Sequence, residues 1–297
     1  MLIVTGASGQ LGRRIVANLL ALVPAERIGV SARDPGKLAD LAALGVRVRQ
    51  GDFEDAESLH HAWEGAERLL LVSSNAGATG GDTLKQHATA IEAARVLKVD
   101  RVLYTSQISC AENSHFAPGR SHAATESMLA TSGLRWTALR HGFYAASAVS
   151  MNAVAFKTGA LVAPLDGKVS WTTHDDLAAA DAKLLVAESV IDGPTPPLTG
   201  SEALDLADLA SLAGQLTGKT IVRTIIGDDE MTADARSRGV PEAATEFMMG
   251  YYLAARSGEF APVDRTLASV LGRAPETMRS YLAKAFQGGA GRAVTVA

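Results

Sequence analysis

Cysteine is almost missing from this chain. Cys110 is the single one in 297 residues, so no internal disulfide can form, and a reducing, cytoplasmic setting is expected. Charge of either sign is also not in excess. The formal net charge of −4 gives no electrostatic footprint for nucleic acid or an anionic membrane. No uninterrupted apolar run is long enough to span a bilayer, and the first residues already read as a strand, so neither a membrane span nor a signal peptide is expected. Histidine and cysteine never fall at metal-ligand spacing. His60 and His61 are adjacent on a predicted helix and face different ways, so no metal is expected. No internal repeat is visible. Cys110 falls just past a predicted strand, near the expected cleft, where packing is the ordinary role of a lone cysteine.

What the chain does have is a glycine run placed early. The apolar opening Met1–Val4 is followed, after Thr5, by Gly6-Ala7-Ser8-Gly9-Gln10-Leu11-Gly12, then by helix-periodic Ile15, Val16, Leu19 and Leu20. Glycines at a strand-to-helix junction allow a tight turn and let a pyrophosphate approach the helix N-terminus, where free N–H groups and the helix dipole favour negative charge. The spacing is GxxGxxG rather than GxGxxG. A dinucleotide site is therefore expected, with Gly6, Ser8, Gly9, Gln10, Leu11 and Gly12 forming its cradle; a merely structural turn is the competing reading.

The second strand, Arg27–Ala32, ends at Arg33-Asp34. An acidic side chain at that tip suits the 2′-OH of NAD, an arginine the 2′-phosphate of NADP. Arg33 points to NADPH, and the neighbouring Asp34 keeps NAD open. Strand three, Val46–Gln50, runs into Asp52 and Phe53, placed for the edge and face of an adenine, although Asp52 equally suits the N-cap of the next helix. Strand four, Arg68–Val72, ends in Ser73 and Ser74, whose hydroxyls suit cofactor sugars and phosphates.

Up to about residue 145, short β-rich apolar runs alternate with amphipathic helical stretches. That rhythm predicts an α/β, Rossmann-type, doubly wound parallel sheet. Strand five is expected over Arg101–Ser106, a helix over Ser121–Thr131 and strand six over Arg135–Arg140. Residues 1–150 then form the NADP-binding domain, with 168–192 returning to it. The stretch Asp192–Pro197 reads as a linker-like break, and 193–297 as a small, mainly helical domain capping the substrate. The Gly-rich tail Gly288–Ala297 reads as disordered or edge-like.

Together, the segments Val4–Gly12, Ala32–Asp34, Gln50–Phe53, Leu71–Ser74, Gln86-His87, Tyr104–Ser106, His122–Glu126 and Leu139–Tyr144 resemble the NmrA-like group of atypical short-chain dehydrogenases/reductases. The resemblance spans nearly the whole chain and is greatest to bacterial NAD(P)H:quinone oxidoreductases and triphenylmethane-dye reductases. It implies NADPH bound by the glycine loop, by Arg33, by Ser73 and Ser74, by Thr105 and Ser106, and by the turn His141-Gly142-Phe143-Tyr144 near the nicotinamide. His141 departs from the pattern, since these relatives often carry Asn there.

Standard members of the superfamily use Tyr-x-x-x-Lys on a helix, with a serine after strand five. Residues i and i+4 share a helix face, so the lysine lowers the tyrosine pKa while the tyrosine protonates the substrate oxyanion. Here the matching helix reads His122-x-x-x-Glu126 and the serine position is Gln107. Two readings follow: a reductase whose acceptor needs little acid help, or a non-catalytic NADP(H)-sensing regulator. A quinone or another conjugated aromatic acceptor suits the first, because charge is delocalised as hydride adds; a ketone on an aromatic polyketide is the alternative. His122, oriented by Glu126, and Tyr144 are the candidate catalytic residues, against an ordinary helix-surface pair and a core tyrosine. Met248, Met249, Tyr251 and Tyr252 suit either core packing or a lid over a flat substrate. The expected partner is a small aromatic or quinone-like molecule, and a homodimer is compatible with the sequence.

Overall fold

Short apolar runs, too short for helices and separated by glycine and Asx turns, become the central strands of one parallel sheet, with the polar Arg47–Gln50 and the two-residue Gly193–Pro194 at its edges. The computed structural model describes residues 1–288; most of the glycine-rich tail lies outside the described residues. In chain order β1 is Leu2–Thr5, β2 Ile28–Ala32, β3 Arg47–Gln50, β4 Arg68–Leu71, β5 Arg101–Gln107 and β6 Trp136–His141. The helices joining them are α1 (Gln10–Leu20), α2 (Ala39–Ala43), α3 (Ala56–Ala62), α4 (Thr83–Val96) and α5 (Ala117–Thr131). Beyond β6 come β7 (Phe143–Tyr144), α6 (Ala145–Met151), α7 (Ala153–Thr158), β8 (Ala160–Pro164), β9 (Trp171–Thr172), α8 (His174–Val186) and β10 (Gly193–Pro194). The chain continues through α9 (Leu206–Thr217), β11 (Val222–Ile226), α10 (Asp228–Ser237), α11 (Glu242–Arg256), α12 (Thr266–Leu271) and α13 (Met278–Gly288).

The main sheet runs β10-β6-β5-β4-β1-β2-β3, with every described pairing parallel. Strand order reverses between β1 and β4. A doubly wound sheet opens its ligand crevice there, at the carboxyl ends of the strands. Helix α1 covers one face by burying Leu11, Ile15, Val16 and Leu19, each worth about 1.5–3 kcal/mol of burial. On the opposite face Trp63 is fully buried, and its indole N–H donates to Ser31 Oγ at 3.0 Å.

Two readings of the sequence need correction. The supposed linker at Asp192–Pro197 is part of the sheet: Gly193 and Pro194 pair with Thr137 and Ala138, and the N–H groups of Thr195 and Leu198 donate to the Ala138 and Arg140 carbonyls. A glycine-proline stretch tolerates an edge position because only one side must be hydrogen-bonded. The boundary expected at residue 193 therefore falls inside the sheet. Helix α12, not foreseen, also returns to the dinucleotide half, where Leu267 and Leu271 join the cluster of α1 and α8. Residues 145–163 lean the other way: Ala148, Phe156 and Leu161 pack in the capping core with Leu209 and Tyr251. In the same half, β8 and β11 form a separate parallel pair, Ala160–Pro164 against Val222–Ile226.

Candidate active site

The glycine run builds an open cradle. Gly6 sits at φ +61, a conformation L side chains resist, and the Gly9 N–H donates to its carbonyl at 2.9 Å. A Cβ on Gly12 would lie 2.4 Å from the Gly6 carbonyl oxygen, so only glycine lets α1 pack this close to the loop. Gly9 caps α1 with no side-chain hydrogen bond, and the first turn holds no acidic residue. Gly6, Ser8, Gly9 and Gln10 are exposed, while the side chain of Leu11 is buried in the core, so Leu11 can offer only backbone. An anion-ready helix end beside a turn that a Cβ would block fits the pyrophosphate of a dinucleotide.

At the tip of β2, Arg33 is exposed and makes no ion pair among the described residues. The two arginines of α1 are committed instead: Arg13 pairs with Asp40 at 2.6 Å and Arg14 with Asp175 at 2.7 Å. Asp34 accepts the Gly36 N–H at 3.1 Å and so caps the following turn. After β3, Asp55 rather than Asp52 caps α3, accepting the Glu57 and Ser58 N–H groups. Asp52 instead accepts the Glu54 N–H, and Phe53 meets Trp63 edge-on with centroids 6.5 Å apart.

The tips of β4 and β5 are cross-braced by α4 and α5. His87 is fully buried; its Nε2 accepts the Ser74 N–H at 2.9 Å, and its Nδ1 lies 2.8 Å from Thr125 Oγ1. The Thr125 hydroxyl donates to the Ser121 carbonyl, so His87 Nδ1–H must be the donor to Thr125. Burial pushes the His87 pKa down to about 4, in keeping with this neutral tautomer. The Ser73 N–H donates to Thr105 Oγ1 at 2.8 Å, and the Ser74 hydroxyl donates to the Gln86 side chain. Thr105 and Ser106, nominated as cofactor contacts, are both buried and spend their hydroxyls inside the protein. They hold strand tips; Ser73 and Ser74 remain half-exposed at the crevice.

Glu126 does not orient His122, as the shared helix face had suggested. Its carboxylate is buried, accepts the Ser106 hydroxyl at 2.6 Å, and takes Arg140 from β6 through Nη2 at 2.7 Å and Nε at 3.1 Å. The surface-pair reading fails with it. Cys110 lies beside this cluster, 3.9 Å from Arg140 Nη2, with its thiol pushed up to about 12 by burial and by Glu126. His122 turns the other way, its Nδ1 2.7 Å from the hydroxyl of Tyr104 on β5. Burial, then the neighbouring His87 and His141, pushes the His122 pKa down to about 3.

The turn after β6 is packed rather than open. His141 is buried, with Nε2 2.9 Å from Asp181 on α8, while His141 Nδ1 and the second Asp181 oxygen have no partner. The Gly142 N–H donates to the Leu198 carbonyl at 2.8 Å, and a Cβ there would lie 2.2 Å from Thr172 Oγ1. Phe143, nominated as a cofactor contact, belongs to the capping core: its ring lies 4.9 Å from Phe260 and 5.5 Å from both Trp171 and Tyr251. Tyr144 stacks on His174 at 4.2 Å, and desolvation, then Asp181, raises its pKa above the ordinary phenol range. No hydrogen bond joins Tyr144 to His122 among the described residues. On α11, Tyr251 and Tyr252 are core residues, Met248 and Met249 are half-buried, and Phe247 is exposed, 5.0 Å from Phe116.

A glycine cradle beside the switch point of a doubly wound sheet, with His122 where a short-chain dehydrogenase carries tyrosine, defines a dinucleotide-dependent oxidoreductase of the atypical short-chain type. A family described as NAD(P)H-binding matches residues 6–185. The chain belongs to this NAD(P)H-binding, NmrA-like family. It is 32% identical over 287 residues to quinone oxidoreductase 2 of Escherichia coli K12, covering 96% of this chain and 99% of that protein. It is 31% identical over 280 residues to an NmrA-like oxidoreductase of Aspergillus flavus, covering 92% and 91%. The crystal structure of the E. coli NADPH-dependent quinone oxidoreductase with NADPH superposes at TM-score 0.89, covering 96% of this chain and all of that one at 31% identity. Citrobacter triphenylmethane reductase with NADP(H) superposes at 0.84 and 29% identity, covering 96% and 99%.

Proposed function

We propose that this protein oxidises NADPH and reduces a flat, weakly charged quinone-like acceptor, working in the cytoplasm. The observation that carries the reading is Arg33, exposed and without an ion pair at the tip of β2, beside an open helix N-terminus. A guanidinium there suits a 2′-phosphate bidentately, and the aspartate that would have suited a 2′-OH is committed to a turn. The similar E. coli structure, described as an NADPH-dependent quinone oxidoreductase complexed with NADPH, supports the same choice.

The cofactor supplies the hydride; the chain supplies placement. Ser8–Gly12 would hold the pyrophosphate by backbone N–H groups, Arg33 the 2′-phosphate, Asp52 and Phe53 the adenine, and Ser73 and Ser74 the sugars. No ionisable acid with a mid-range pKa faces the crevice at the position of the standard tyrosine, since His122 is held neutral. An acceptor that spreads its negative charge over a ring needs orientation more than a strong acid, which favours quinones over isolated ketones.

The test is NADPH oxidation against a panel of quinones, triphenylmethane dyes and polycyclic ketones, each repeated with NADH. Quinones should turn over fastest and NADPH should be preferred. Tight NADPH binding with no turnover of any acceptor would overturn the enzymatic reading in favour of a sensor.

A further inference from the structure

We infer that Tyr104 is the positioning residue of this site: its phenol, hydrogen-bonded to Nδ1 of His122, fixes the imidazole with its proton on Nε2, and that N–H donates to the acceptor's oxygen. The inference rests on the proposed reductase reading and names the group that meets the developing charge.

Tyr104 is immobile. It stands on β5 with no exposure, meets the buried His87 ring edge-on at 5.4 Å, and faces His122 with centroids 5.6 Å apart. Its hydroxyl has one proton to give and lies 2.7 Å from His122 Nδ1 and 3.4 Å from Ser73 Oγ. We assign that proton to His122 Nδ1 rather than to Ser73 Oγ, because 2.7 Å is the ordinary length of an O–H donor bond and 3.4 Å is long for one. A neutral imidazole that accepts at Nδ1 must carry its proton at Nε2. Ser73 is then free to donate to the phenol oxygen or to the crevice. His122 Nε2 has no hydrogen-bond partner among the described residues, and the residue is half-buried.

The surroundings keep the ring neutral from every side. His87 on α4 is locked by the Ser74 N–H and Thr125. His141 on β6 is bound to Asp181, Glu126 one turn along α5 is taken by Arg140 and Ser106, and Tyr104 itself is an uncharged phenol. No carboxylate bonds His122 among the described residues, so nothing supports an imidazolium. The arrangement replaces the proton transfer of a tyrosine-lysine pair with a fixed neutral donor, a form of oxyanion stabilisation. In the balanced reaction the acceptor gains a hydride, the dihydronicotinamide is oxidised, and one proton from water completes the hydroquinone. His122 leaves the cycle unchanged.

The experiment is imidazole 15N NMR of the NADP+-bound protein from pH 5.5 to 8, beside steady-state kinetics of wild type and Tyr104→Phe. Wild type should show a pyrrole-type Nε2 and a pyridine-type Nδ1 for His122 across the range. Tyr104→Phe keeps the ring packing; it should lose that fixed tautomer and lower kcat with a quinone about tenfold, at unchanged KM for NADPH. A pyrrole-type Nδ1 or an imidazolium at pH 6 in wild type, or a wild-type kcat in Tyr104→Phe, would overturn the inference. Should the variant not fold, the wild-type spectrum decides alone. Absence of quinone turnover in wild type instead rejects the proposed function, and the tautomer is read independently of any acceptor.

Discussion

The carboxylate of Glu126 is gripped by Arg140 through two nitrogens, at 2.7 and 3.1 Å, across the gap between α5 and β6, and not by His122 one turn earlier on its own helix. This pairing ties the helix that carries His122 to the strand that carries His141. It makes Glu126 part of the scaffold.

Glu126→Ala should therefore act on stability. It strips a partly buried guanidinium of its partner and leaves the Ser106 hydroxyl without its acceptor, at a cost of about 3 kcal/mol, the low end for a broken buried pair because Arg140 retains some exposure. Urea unfolding should show a lower midpoint at unchanged slope, while KM for NADPH in the surviving folded protein stays near wild type.

Arg33→Ala should weaken NADPH by about 1.5–3 kcal/mol, the range for hydrogen bonds to a charged group. NADH affinity should barely change. Titration of both cofactors checks this, and an equal loss for both would remove the 2′-phosphate assignment.

The buried pair His141–Asp181 predicts a non-additive cycle. His141→Asn alone leaves the Asp181 carboxylate without its ring donor at zero exposure, and should cost about 3 kcal/mol. Adding Asp181→Ala should restore much of that loss, because two residues in contact couple. Unfolding free energies of the four proteins decide it; simple additivity would mean that the pair does not interact.

Acid should destabilise the fold partly through His87. Its folded pKa, about 4, lies below the ordinary 6.5, so the unfolded chain binds more protons between those values. Its contribution is complete above pH 6.5 and is lost as pH falls through the window toward 4. At pH 5 the loss is about 2 kcal/mol. Stability against pH should thus be shallower between 6.5 and 5 in His87→Gln than in wild type, whatever the absolute stability of the variant.

The sheet and the cofactor cradle were legible in the residues because they depend on local rules. A buried parallel strand needs an apolar run, Gly6 needs its left-handed turn, Gly12 needs a missing Cβ, and Arg33 stands where strand two ends. Each signal lies within a few residues of its cause. Helix spacing, by contrast, placed Glu126 beside His122, and only the packing of α5 on β6 showed that Arg140, fourteen residues on, held the stronger claim. Tyr104 carried no role of its own in the sequence, and the fold sets its hydroxyl against His122 Nδ1. Phe143 and Ser106, cofactor contacts by resemblance to the family, are buried in the fold. Sequence alone determined which backbone could cradle a dinucleotide, since conformation and charge at a turn are local properties. Tertiary structure decided which polar side chains meet, because a buried donor takes the nearest unsatisfied partner in space, and no period along the chain encodes that choice.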